Sequence, residues 1–184
     1  MQANTSFSIA LKPKLRFVSM IVYTLGTIFF PFDRAVFWLQ ELLEREIIVE
    51  PVLLQHGATN ADKLNHPLLT SVASLTISEM HDAIRQSSLV ISHAGQGSTR
   101  MLAEMGACFV LIPRLRRYGE HVDDHQLLFA RAVERFGVPH CTELEQLIKY
   151  IKQPPVPLKN KLFNAPSLAE HLIVRYKLAE LQTK

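Results

Sequence analysis

Twice in this chain an apolar, partly β-branched run ends directly in a glycine-containing loop. Phe17 to Tyr23 runs into Thr24, Leu25, Gly26 and Thr27, and Ser88 to Ser92 runs into His93, Ala94, Gly95, Gln96, Gly97 and Ser98. Each reads as a buried strand delivering its loop to a sheet edge. Between and after them, apolar residues recur at helical spacing, as at Val36, Leu39, Leu42 and Leu43. Strands alternating with helices predict parallel βαβ units and an α/β, Rossmann-like doubly wound sheet. Such a sheet binds ligands at the carboxyl ends of its strands, where both glycine loops then lie.

The remaining elements follow the same punctuation. Asp33 reads as the N-cap of the first helix, and residues 47 to 54 as a second strand that Pro51 places at an edge or a bulge. Gly57 to Pro67 is loop chemistry, Val72 to Ile77 a third strand, and Ser78 to Gln86 a helix. Met101, Leu102 and Met105 mark a helix face that ends at Gly106, and Cys108 to Ile112 is a fifth strand closed by Pro113. A charged loop from Arg114 to Asp124 leads into a helix with Phe129, Ala132, Val133 and Phe136 expected on its core side, and another helix runs from Glu143 to Ile151. The expected organisation is an arm over 1–16, one domain over 17–151, and a tail over 152–184. That tail combines a linker holding Pro154, Pro155 and Pro157 with an amphipathic helix from Ser167 to about Gln182.

With 184 residues and 48% hydrophobic content, one core is the expectation. Twenty basic residues against 17 acidic leave a net charge of +3, too small an excess to argue for nucleic acid. The exposed-type cluster Arg114, Arg116 and Arg117 suits phosphate groups or an anionic membrane surface, or simply a solvated face. Cys108 and Cys141 lack CxxC spacing and read as small buried hydrophobes in a reducing compartment. The apolar stretch from Phe17 to Phe32 falls short of the roughly 20 residues that span a bilayer, and Gly26 and Pro31 interrupt it. Neither spanning nor secretion is expected.

Gly95 and Gly97 let backbone approach a ligand closely, and Ser98 lies where free N–H groups and the helix dipole favour a phosphate. The loop lacks the third glycine of the dinucleotide fingerprint, where Arg100 stands, and the Lys-Ser/Thr ending of a P-loop. On residue types alone it is a diphosphate cradle or a tight turn. His93 is a phosphate donor or a core histidine. Arg114, Arg117, Glu120, His121, Asp123, Asp124, His125 and Gln126 crowd one loop. His121, Asp123 and His125 are ligand types for zinc or manganese, but no HExxH-type spacing supports a metal. Ser98 lacks the GxSxG elbow of a hydrolase.

The run ISHAGQGS (Ile91 to Ser98), Pro113-Arg114, YGEHVDDHQ (Tyr118 to Gln126), TLGT, FPFDR and QHG (Gln55 to Gly57) resemble the family 28 glycosyltransferase C-terminal domain, over roughly residues 17 to 151. The sequence is similar to the small donor-binding subunits of split transferases. These include the catalytic subunit of the eukaryotic dolichol-linked GlcNAc transferase and, with a better fit through Gly119 to Gln126, bacterial exopolysaccharide and capsule transferases.

The resemblance implies a GT-B donor domain that takes a UDP-sugar without metal and transfers the sugar with inversion to a lipid-linked acceptor. It implies that Gly26 and Thr27 form the first phosphate-facing loop, and that His93, Gly95, Gly97 and Ser98 hold the diphosphate. It places His125 and Gln126 at the sugar or its phosphates, and offers Arg114, Glu120 and Asp124 as further donor contacts. The family's ribose-binding glutamate falls at Met101, which leaves Glu104 as its candidate substitute. A complete enzyme of this architecture needs about twice the chain. The implied partner is therefore a membrane-anchored acceptor-binding subunit, with this chain peripheral at the cytoplasmic face and inactive alone. No general base is assigned here. A nonenzymatic nucleotide-sugar-binding or enhancer subunit is the alternative, and an epimerase on a related fold requires a second domain.

Overall fold

The computed structural model describes residues 19–158. The arm over 1–16 and the amphipathic helix from Ser167 lie outside the described residues, as do the first two residues of the expected strand at Phe17.

Five strands form one sheet: β1 (Met20–Thr24), β2 (Val52–Gln55), β3 (Leu69–Val72), β4 (Ser87–His93) and β5 (Phe109–Ile112). They pair in the order β3-β2-β1-β4-β5, and every pairing is parallel. Five helices accompany them: α1 (Asp33–Glu44), α2 (Ile77–Arg85), α3 (Gln96–Glu104), α4 (His125–Glu134) and α5 (Leu144–Lys152).

Strand periodicity distributes the cover. Ile21 and Tyr23 of β1, with Leu89 and Ile91 of β4, pack against Trp38, Leu39 and Leu42 of α1 and Leu147 and Ile148 of α5. The intervening Val22 and Val90 face Ala83 and Ile84 of α2, Leu102 and Ala103 of α3, and Ala130 and Val133 of α4. Both faces are buried, which explains why the strands read as continuous apolar runs.

Four details differ from the sequence expectations. Pro51 precedes β2 rather than lying in it; its carbonyl accepts from Ile21 N, and β2 is an interior strand. β3 begins earlier than expected, at Leu69, because Thr76 starts α2 through a capping box with Glu79. Asp33 is the first residue of α1 and makes no side-chain cap; Phe32 holds the N-cap position. On α4, Ala132 is exposed and Gln126, Ala130 and Val133 form the buried face, while Phe136 lies beyond the end of the helix and is also exposed.

Both cysteines are free thiols; Cys141 is buried, and burial pushes its thiol up to about 12, while Cys108 is only half-buried and donates from Sγ to Pro155 O at 3.0 Å. No helix among the described residues is long and apolar enough to cross a membrane.

Candidate functional site

The strand order reverses between β1 and β4, and both glycine loops leave the sheet at the carboxyl ends of these two neighbours. That is the crevice where open parallel sheets receive ligands. His93, the last residue of β4, sits between the loops. A Cβ built on Gly26 would lie 2.7 Å from His93 Nε2, and one on Gly95 only 2.4 Å away. Glycine at both positions leaves room for the imidazole wedged against them, and at Gly26 it also answers a φ of +77°.

Burial, reinforced by the nearby Arg114 charge and partly opposed by the Thr24 backbone, pushes His93 down to about 4. Nδ1 is shielded from solvent and makes no hydrogen bond of normal geometry. At neutral pH the ring is uncharged, so one nitrogen donates and the other accepts.

The linkage has a definite sign. The unfolded chain binds a proton near 6.5 that the folded chain refuses until about pH 4. His93 therefore costs stability progressively as pH falls through that window, and the cost is absent above it. Chemical denaturation at pH 7 and pH 5 is expected to give a smaller pH-induced loss for His93→Gln than for wild type. Equal losses would remove His93 as the source.

α3 begins directly after this ring. Its N-cap is Gly95, which has no side chain to satisfy the first N–H groups, and no acidic residue occupies the first turn. Thr99 N returns to Gly95 O, but the N–H groups of Gln96, Gly97 and Ser98 have no partner among the described residues. A Cβ on Gly97 would meet nothing within 4 Å, so its absence opens surface rather than relieving a packing clash. Uncapped donors at the positive end of a helix favour an anion.

The loop after β5 abuts the loop after β1, with the Phe30 and His121 rings 5.4 Å apart. Two of its charges, Arg114 and Glu120, turn inward. Arg114 is fully buried and donates to the carbonyls of Leu25 (2.9 Å), Phe30 (2.7 Å), Pro31 (3.3 Å) and Glu120 (3.2 Å). Burial pushes it down to about 10, with Glu120 pulling the other way, so it stays charged at neutral pH.

Glu120 is bound through both oxygens by Arg34 at 2.8 Å and also accepts from Leu115 N. Both residues thus brace the loops instead of presenting charge to the crevice, unlike the donor contacts expected of them. Gln126 is buried with its Oε1 on Arg114 N, while Asp124 is exposed and accepts from Arg116 N.

His121, Asp123 and His125 converge, with candidate ligand atoms within 4.8 Å of one another. The arrangement has an explanation without a cation. Asp123 Oδ1 accepts from both the backbone N–H and Nδ1 of His125, which holds that carboxyl below its usual range and orients the half-exposed imidazole.

The profile of the glycosyltransferase family 28 C-terminal domain matches residues 20–168. The chain belongs to this family.

Solved structures agree in fold. MurG from Acinetobacter baumannii is 18% identical with a TM-score of 0.55, over 87% of this chain and 49% of that one. The glycosyltransferase SsfS6 from Streptomyces sp. SF2575, complexed with thymidine diphosphate, is 16% identical with a TM-score of 0.50, over 88% and 44%. ALG13, solved by NMR, is 17% identical with a TM-score of 0.51, over 78% and 90%. The chain thus spans about half the length of MurG and SsfS6 and nearly all of ALG13. No curated protein sequence matches it significantly.

Within this family 28 domain, Met101 packs against the core on the α2–α3–α4 side. Glu104 ends α3, about 12 Å along the axis from its start at 1.5 Å per residue, and pairs with Arg100 at 2.8 Å. The structure does not bring Glu104 to the glycine loops.

Two contributors carried no assigned role in the sequence. Arg34 clamps Glu120, and Gln55 ties the loop after β1 to its neighbours. The second had a visible signal, an amide ending a strand two residues before a glycine.

Proposed function

We propose that this family 28 domain is the donor-binding subunit of a two-component inverting glycosyltransferase. It moves a sugar from a UDP-sugar to a lipid-linked polysaccharide precursor, works at the inner face of the membrane, and completes its site with a membrane-anchored acceptor-binding partner. The observation that carries the donor half is the neutral His93 between two glycine loops beside the uncapped start of α3. The split arrangement rests on the likeness of ISHAGQGS, YGEHVDDHQ and QHG to the small subunits of split transferases. The thymidine diphosphate bound by SsfS6 supports a nucleoside diphosphate as the group held.

The chemistry follows from charge. As the acceptor oxygen attacks the anomeric carbon and the bond to the β-phosphate oxygen breaks, negative charge grows on the leaving diphosphate. Free N–H groups of Gln96, Gly97 and Ser98, the Thr27 N–H and a His93 ring nitrogen stabilise that charge, and fixed donors need no reorganisation as it develops. In this reading no metal is required. His125, oriented by Asp123, meets the sugar or its phosphates, while the base that deprotonates the acceptor belongs to the partner.

The copurified pair is expected to transfer sugar from one member of a UDP-sugar panel, and the isolated chain to bind that donor without transferring it. Transfer is expected to persist in excess EDTA; loss on chelation, restored by zinc or manganese and abolished by Asp123→Asn, would instead put a metal at the His121, Asp123 and His125 cluster. Absence of both binding and transfer in the reconstituted pair would sink the proposal.

An apolar Met101, partly buried against the core where the family's ribose-binding glutamate stands, favours a second reading, a nonenzymatic nucleotide-sugar-binding subunit. That reading predicts donor binding by the pair with no turnover.

A further inference from the structure

Resting on the donor reading above, we infer that Gln55 is a positioning residue for the donor diphosphate. Its amide sets the orientation of the Gly26–Thr27 peptide so that the Thr27 N–H faces the crevice. Gln55 ends β2 and is 3% exposed. Its Oε1 accepts from Thr24 Oγ1 at 2.6 Å and from Gly26 N at 3.2 Å; its Nε2 donates to Gly26 O at 2.9 Å and to Ala73 O at 3.0 Å. All four hydrogen-bonding positions of the amide are used. One side chain thereby joins the chain leaving β1, β2 and β3.

The geometry of the peptide gives this clamp its consequence. In a trans peptide the Gly26 carbonyl and the Thr27 N–H point in opposite directions. The carbonyl is tied toward β2, and Gly57 closes the same side: a Cβ there would lie 2.1 Å from Gly26 O. The Thr27 N–H is thus turned from β2 toward the opposite flank of β1, where β4 brings His93 and the start of α3. It makes no hydrogen bond among the described residues. A second, independent anion donor then faces the helix terminus across the crevice.

Two substitutions separate positioning from packing. Gln55→Glu keeps the shape and the acceptor oxygen but opposes a carboxylate oxygen to the carbonyls of Gly26 and Ala73. Gln55→Met keeps the length without hydrogen bonds.

Calorimetric titration of the full chain with UDP is expected to give a Kd weakened about tenfold or more in both variants, at unchanged stoichiometry. The Thr27 amide resonance is expected to move on UDP addition in wild type and not in Gln55→Glu. A purely structural Gln55 would lower the stoichiometry with the folded fraction and leave Kd and the Thr27 response intact, which would overturn the inference. A wild-type chain that leaves UDP unbound would overturn the donor reading itself, and Gln55's role with it.

Discussion

Gly95→Ala is expected to weaken donor binding about a hundredfold while leaving the fold intact. Gly95 has φ of −78° and ψ of 133°, a conformation alanine adopts without strain. The cost is steric. The new Cβ would lie 2.4 Å from His93 Nε2, and the ring cannot retreat toward Gly26, where the loop backbone already packs against it. The imidazole is displaced into the crevice, which would remove the diphosphate contact proposed for it and obstruct the N–H groups of α3. Two hydrogen bonds to a charged group, at the lower end of the usual range, about 1.5 kcal/mol each, give a loss of this size. A double-mutant cycle identifies the route: if the effect acts through the ring, Gly95→Ala added to His93→Ala weakens binding far less than it does alone. Additive losses would contradict the wedge.

The second large effect falls on stability. Arg114→Met is expected to destabilise the domain by about 3–5 kcal/mol, read from urea denaturation, because it removes a buried cation whose guanidinium satisfies four carbonyls. Three of these belong to the segment after β1, so the same change loosens the loop that carries Gly26 and Thr27. Donor affinity is expected to fall even under conditions where the variant remains folded. A loss under about 1 kcal/mol would mean that the loop holds without its central donor.

Sequence legibility followed the kind of signal each element carries. Both glycine loops could be placed because a strand ending in glycine and followed by helical periodicity has few interpretations, and β1, β4 and α3 lie where that pattern put them. The failures came where a residue type has two uses. Pro51 excludes a position inside a central strand but not the position just before one, and β2 uses the latter. Asp33 is as favourable in the first turn of a helix as at its cap.

The charged loop was the hardest to read. Arg114 and Glu120 carry the residue types of a phosphate and sugar site, yet sequence fixes neither the direction of a side chain nor its partner. Arg34, 86 positions from Glu120, closes the ion pair that turns the carboxylate inward. Gln55 stood within a recognised motif, but its role depends on β2 lying beside β1, a tertiary fact. The core side around α4 was misjudged because Phe136, two residues past the helix end, is as apolar as a core residue although it is half exposed, while the polar Gln126 is buried to hold Arg114 N.

The proposed function turns on a nucleotide sugar's diphosphate resting between the loop after β1 and the start of α3. Amide hydrogen exchange of the full chain, with and without the UDP-sugar, tests this directly. Protection is expected to concentrate at residues 25–30 and 95–99. Protection absent from both segments, or confined to the cleft of about 350 Å³ lined by Phe37, Gln40, Lys63 and Leu64, would contradict it.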